Sequence, residues 1–244
     1  MEHHIRQSPE NDMNQPSKQQ SGFTLVEIAI VLVIIGLLLG GVLKGQELIN
    51  SAKVKNLIND FRTVSTLIYA YQDRFKAFPG DQNQTQLTDA FGANTAIQCT
   101  ITAGSCVPNN GRIDGAWNAT TVNSESFMLW QHVRFANLAT GPTATAAADY
   151  RPTNADGGFI GIEGVITDSA GVPTPYISGM RGSFFVCSDS ILGRHVKQID
   201  TTMDDGNTAG GSVQAVTNGA ARGTAAVATQ AIQDGTPYTV CAAF

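Results

Sequence analysis

Ser21-Gly22-Phe23-Thr24-Leu25-Val26-Glu27 runs without a break into Ile28-Ala29-Ile30-Val31-Leu32-Val33-Ile34-Ile35-Gly36-Leu37-Leu38-Leu39-Gly40-Gly41-Val42-Leu43. From Phe23 to Leu43 the one charge is Glu27. A helix needs about 20 predominantly apolar residues to cross the hydrocarbon core of a bilayer, so this segment can span. A secretory signal has a shorter apolar region, about 7–15 residues, closed by a small-residue cleavage site. Here Lys44 and Gly45 follow the run, with no such site. A plain anchor leaves Glu27 unexplained. A carboxylate inside an apolar helix costs about 2.5–3.5 kcal/mol on insertion scales unless it is paired or shallow.

Beyond Lys44 the apolar positions are Val54, Leu57, Phe61, Val64, Ile68, Tyr71, Phe75 and Phe78. They alternate in steps of three and four, the seam of an amphipathic helix. Lys53, Lys55, Asn59, Asp60, Arg62, Thr66 and Asp73 fall off that seam. Pro79-Gly80-Asp81 stops the helix. One helix from Thr24 to Lys76 would be roughly 80 Å long. The seam predicts a globular part packed on residues 44–78. Gly36, Gly40, Gly41 and Gly45 stand at GxxxG spacings. They fit either close helix contact in the membrane or local helix weakness, since each Gly costs about 1 kcal/mol against Ala.

Residues 79–158 read as a loop-rich connection with one short helix, Glu125 to Leu138. Phe127, Trp130 and Val133 fall on one side of that helix, Ser124 is its N-cap, and Gly141 follows it. His132 on this helix reads as a packed or partly exposed side chain, because no second His or Cys accompanies it. Residues 159–244 read as β-rich. Phe159–Ile166, Ser183–Cys187 and Tyr238–Cys241 are the strand candidates, with a further short strand at 212–216. Residues 191–203 form a short helix, and the Ala-, Gly- and Thr-rich stretch 217–236 is expected to be a mobile loop.

The chain has 244 residues, 42% hydrophobic and 14% charged, with 15 Lys and Arg against 20 Asp and Glu. A formal charge of -5 argues against nucleic acid as a partner, which needs a basic footprint. No GxSxG, HExxH, P-loop or dinucleotide fingerprint occurs, and His3, His4, His132 and His195 form no recognisable nucleophile–base pair. An enzymatic role has no residue to rest on. The four cysteines lie outside any CxxC, which speaks against zinc, and their even number fits an oxidising compartment. Three connectivities are open. Cys99–Cys106 with Cys187–Cys241 is the most economical, closing a local loop and tying the last strand to an internal one. Two acidic loops offer oxygens for a hard cation, one around Asn109 and Asp114, the other around Asp200, Asp204 and Asp205. Asn-Gly and Asp-Gly are also turn chemistry, the preferred reading for both, and Arg112 weakens the first further.

Gly22-Phe23-Thr24-Leu25-Val26-Glu27 before a spanning run resembles the processing site of type IV prepilins and type II secretion pseudopilins. Phe78-Pro79-Gly80-Asp81, Ile113-Asp114-Gly115 and Asp204-Asp205-Gly206 are similar to pieces of many pilin-like chains. The resemblance implies an α+β fold, a long N-terminal helix with an antiparallel sheet packed on its second half. It implies a leader over 1–22, cut after Gly22 by prepilin peptidase, a spanning and polymerising segment over 23–43, N-methylation of Phe23, and assembly through Phe23 and Glu27. The implied partners are further copies of the chain or related subunits, the peptidase, an inner-membrane assembly platform and membrane lipid. The C-terminal part would lie in the periplasm, the subunit passing into a pilus or periplasmic pseudopilus. A C-terminal disulfide like Cys187–Cys241 is common among such pilins, and some pseudopilins hold calcium in a loop like the second acidic one. A pilus subunit is favoured. A pseudopilin is the alternative, and a membrane-tethered adhesin or DNA-uptake minor pilin a second one. This chain departs from the family in two ways. Its leader is not basic overall, and Lys44 takes the place of a usual proline. Charge counting around the span alone would leave the C-terminus in the cytoplasm; the cleavage motif, which needs a cytoplasmic leader, overrules it.

A side chain before the cut would crowd the peptidase. Gly22→Val is therefore expected to stay uncut, whereas the native chain yields a mature product beginning with N-methyl-Phe23. Mass spectrometry of the N-terminal peptide reads both, and a start downstream of Leu43 would instead mark a signal peptide.

Overall fold

A computed structural model describes Gly22 and residues 24–93, 95–165 and 174–244. Helix α1 (Leu25–Phe75) is the first element. Two compact units divide the chain, one up to Gln46 and one from Glu47 onward. In the first, the helical side chains from Leu25 to Leu43 are all exposed, Leu25 at 91% and Leu37 at 73%. In the second, Val54, Leu57, Ile58, Phe61, Val64, Ile68 and Tyr71 are buried in the main core, with Phe75 and Phe78 packed against it. The seam thus faces the core. The helix ends at Phe75, short of Phe78, and Lys76 turns to a φ of 54°. Pro79 explains this. Its ring would clash with the Phe75 carbonyl of a continuing helix and pushes Phe78 out of helical geometry.

The connection after α1 holds two helices, not one. Helix α2 (Gln84–Phe91) opens with a reciprocal capping box between Asn83 and Gln86. Only Leu87 of this helix is buried, so no apolar periodicity marks it. Helix α3 (Glu125–Phe135) is buried from Glu125 to Arg134 on every side, which widens the single face expected. Ser124 holds the N-cap position without a side-chain capping bond; its hydroxyl lies 2.7 Å from that of Ser126. The helix stops at Phe135, before Leu138 and Gly141. Asn137 takes the left-handed position at φ 56°, and the Asn137 and Leu138 N–H groups donate to the Arg134 and Val133 carbonyls. That is the Schellman closure, which Asn can adopt in place of Gly.

Strands β1 (Ile160–Gly164), β2 (Phe184–Leu192), β3 (Val213–Thr217) and β4 (Pro237–Ala243) form one antiparallel sheet in the order β1-β2-β4-β3. Helix α4 (Gly193–Met203) follows β2. Ile166, the end of the first strand candidate, lies outside the described residues, as do residues 1–21. Alternation along the strands splits their side chains between two cores. Ile160, Ile162, Phe184, Val186, Val213, Ala215, Val240 and Ala242 join the seam of α1 and the buried side of α3. Phe185, Cys187, Val216 and Cys241 join Trp117, Tyr176, Ile177 and Met180 in a second, smaller core. Both sheet faces are therefore covered.

Residues 217–236 are fastened rather than loose. The Arg222 guanidinium donates through Nη1 and Nη2 to the fully buried Glu163 carboxylate at 2.7 and 2.6 Å, and Glu163 also accepts the Trp117 and Tyr176 N–H groups. The Val227 N–H donates to the Ala215 carbonyl, and a 3-10 turn follows at Thr229–Ala231. Cys99 is bonded to Cys106, and Cys187 to Cys241, which face each other across β2 and β4 with Cα atoms 4.1 Å apart. The sequence separations are 7 and 54. Chain entropy assigns about 2.4 kcal/mol to the short loop and about 4.2 kcal/mol to the long one. Cys187→Ser is expected to lower the unfolding midpoint more than Cys99→Ser in denaturant titrations of the full chain. The reverse order would show that local packing around Cys99 outweighs loop closure.

Candidate functional site

At the head of α1, Gly22 is exposed and Phe23 lies outside the described residues. The Glu27 carboxylate accepts the Thr24 N–H and the Thr24 hydroxyl, both at 2.8 Å, and the Glu27 N–H points back to Thr24 Oγ1 at 3.3 Å. Thr24 and Glu27 thus form a capping box, which uses two donors that a helix start leaves without partners. The acid at the edge of the apolar run is held within one turn of the helix start and is exposed. Thr24 is the residue the functional reading of the sequence passed over. Its signal was present as Thr-x-x-Glu before an apolar run. The helix behind it is long and apolar enough to cross a membrane. The prokaryotic N-terminal methylation motif matches residues 17–43. The chain carries the signature of type IV pilins and pseudopilins. No curated protein and no solved structure matches it. The pilin-type motif and the apolar helix together fit a membrane-anchored protein, and the motif's family consists of structural subunits, not enzymes.

The first acidic loop of this pilin-like chain turns inward. Asp81 accepts the Asn110 and Gly111 N–H groups on its two carboxylate oxygens, each at 2.9 Å, and the Asn109 N–H donates to its backbone carbonyl. Asn109 sits at φ 64°, a turn position. Asp114 accepts from the Asn110 side chain at 2.6 Å and faces Arg112 at 3.9 Å. Asp114 belongs to no cation-sized group of three His, Cys, Asp or Glu side chains among the described residues. Behind the loop, Glu125 is fully buried and accepts the Val107 and Asp114 N–H groups at 2.8 Å. Burial, with Asp114 and Asp81 nearby, pushes its carboxyl up to about 8.

His132 is fully buried. Its Nδ1 accepts the Gly80 N–H at 3.0 Å, which leaves the proton on Nε2 to donate to the Ile97 carbonyl at 3.0 Å. Burial lowers it to about 4, so it is a neutral bracket between two segments.

The second acidic loop differs. Asp200, near the end of α4, is fully buried, and neither carboxylate oxygen has a hydrogen-bond partner of good geometry among the described residues. One of its oxygens lies within 4.8 Å of one oxygen of Asp204, half-buried, and of one of Asp205, exposed. Burial and then the Asp204 and Asp205 charges push Asp200 up to about 6, partly offset by the Gly206 N–H. Asp204 Oδ2 accepts the Ser212 and Val213 N–H groups, which fixes the loop at the start of β3. A Cβ at Gly211 would strike that same oxygen. A buried carboxylate with two orphaned oxygens beside two more acids is the donor set a hard cation fits.

Proposed function

We propose that this chain is a structural subunit of a type IV pilus-like filament, processed by prepilin peptidase after Gly22 and assembled through α1. The observation that carries the reading is the head of α1. A methylation motif leads into a bilayer-length stretch of α1, Leu25 to Leu43, whose apolar side chains are all exposed, with one acid held at its start. In this reading the C-terminal part lies in the periplasm, an oxidising compartment that fits the two disulfides. After cleavage, Phe23 would present a cationic secondary amine. The amine of an incoming subunit would pair with Glu27 of its neighbour in a medium of low dielectric. The pair sets axial register, which an apolar surface alone leaves free to slide. Removing one partner of a buried pair costs about 3–5 kcal/mol. Glu27→Gln is expected to insert and be cut normally yet give few or no filaments, read by fractionation and electron microscopy of sheared material. Wild-type yield would show that the charge is not needed.

A type II secretion pseudopilin is the second reading, favoured by the Asp200 cluster, since some pseudopilins hold calcium in such a loop. Asp200, Asp204 and Asp205 would hold the ion, which would supply the positive charge that three converging carboxylates lack. Saturating calcium is then expected to raise the thermal midpoint of the full chain by roughly 5 °C over a chelator control. Asp200→Asn should lose that shift without unfolding lower in chelator, because it also removes like-charge repulsion. An unshifted wild-type midpoint in calcium would remove the ion from this site.

A further inference from the structure

A cleft of about 400 Å³ runs between α1 and the α3–β1 region. Asp60, Val64 and Leu67 form one wall, and Trp130, Leu138 and Pro152 stand in the other. Asp60 is half-buried, and no hydrogen bond or ion pair reaches its carboxylate among the described residues. The helix offers it no base. One turn away on either side stand Asn56, Leu57, Thr63 and Val64. Burial alone shifts its carboxyl upward.

Arg134 also lines the cleft, but its guanidinium is committed elsewhere. It donates to the Thr140, Pro142 and Tyr150 carbonyls at 3.3, 2.7 and 2.7 Å and lies over the Trp130 and Tyr150 rings. The cleft therefore combines largely apolar walls with one anion that is partly out of water and that no cationic group contacts among the described residues, the Arg134 charge being held on its own three carbonyls. Such a carboxylate favours any ligand that supplies a cation. A single carboxylate is a poor site for a hard metal ion, which needs about six or more oxygens. An organic cation needs only one, provided that its stem covers the apolar wall.

We propose that this cleft binds an alkylammonium or alkylguanidinium group, its charge on the Asp60 carboxylate and its aliphatic stem along Val64, Leu67, Leu138 and Pro152. The group can be a free amine or guanidine, or the lysine or arginine side chain of a second copy of the chain. Saturation-transfer NMR on the full-length protein in detergent, with empty micelles as reference, tests this with n-butylguanidinium and its neutral counterpart n-butylurea. Saturable transfer from n-butylguanidinium is expected. Half-saturation should rise at least tenfold in Asp60→Asn and recover to within threefold of wild type in Asp60→Glu, while circular dichroism confirms the fold of each. Equal binding by Asp60→Asn, or by n-butylurea to wild type, would overturn the proposal. Repeating the titration at increasing protein concentration separates the sources. A half-saturation that climbs with concentration marks competition by a second copy's basic side chain, and a constant one marks a free cation.

Discussion

The buried seam of α1 is the surface on which the rest of the second unit condenses. Leu57, Phe61, Val64, Ile68 and Tyr71 share one core with strand residues of β1, β2, β3 and β4 and with Phe127, Leu129 and Val133 of α3. Burying a large apolar side chain contributes about 1.5–3 kcal/mol, so one seam of this length anchors several elements at once. The same helix carries the opposite solution between Leu25 and Leu43, where apolar residues surround it and none is buried. Packing decides the fold in the second unit, and the exposed apolar stretch of the first is long and apolar enough to cross a membrane.

Three buried carboxylates are each met by donors gathered from several segments. Glu163 receives a bidentate guanidinium and two backbone donors, and Glu125 receives two backbone donors. Asp156 receives His195 Nδ1 at 2.6 Å together with Lys53 and the Leu192 N–H. Glu163 pins its partners to the sheet, Glu125 pins the 107–114 stretch to α3, and Asp156 joins α1, β2 and α4. This explains why chain with little regular structure, around 100–120 and 217–236, is nonetheless held in place. An acid whose donors come from loops makes those loops part of the core, because a buried carboxylate stripped of those donors would carry its full desolvation penalty. Asp200 departs from this pattern: unlike Glu125, it has no hydrogen-bond partner of good geometry on either oxygen among the described residues.

Much of this was legible in the chain itself. The spanning run, the seam, the stop at Pro79, helix α4, the strand candidates around β1 to β4 and Glu27 at the head of the helix all follow from period, length and residue type. These signals are local, and one residue's neighbours in sequence are enough to read them. Helix α2 escaped because one buried residue makes no period, although its Asn83–Gln86 cap was written in the chain. The cap at Thr24 was written in the chain as well, as Thr24-x-x-Glu27 before an apolar run.

What only the tertiary structure decided lies where partners come from far along the chain. Arg222 meets Glu163, Gly80 meets His132, and the second sheet face acquires Trp117 and Tyr176 as its cover. The two acidic loops look alike in composition. In one, the turn's N–H groups close on Asp81, 29 and 30 residues away, while the other sets a buried carboxylate against two more acids with no hydrogen-bond donor in good geometry among the described residues. Whether an acid is satisfied depends on the direction of N–H groups contributed by segments remote in sequence, and the fold alone sets that direction.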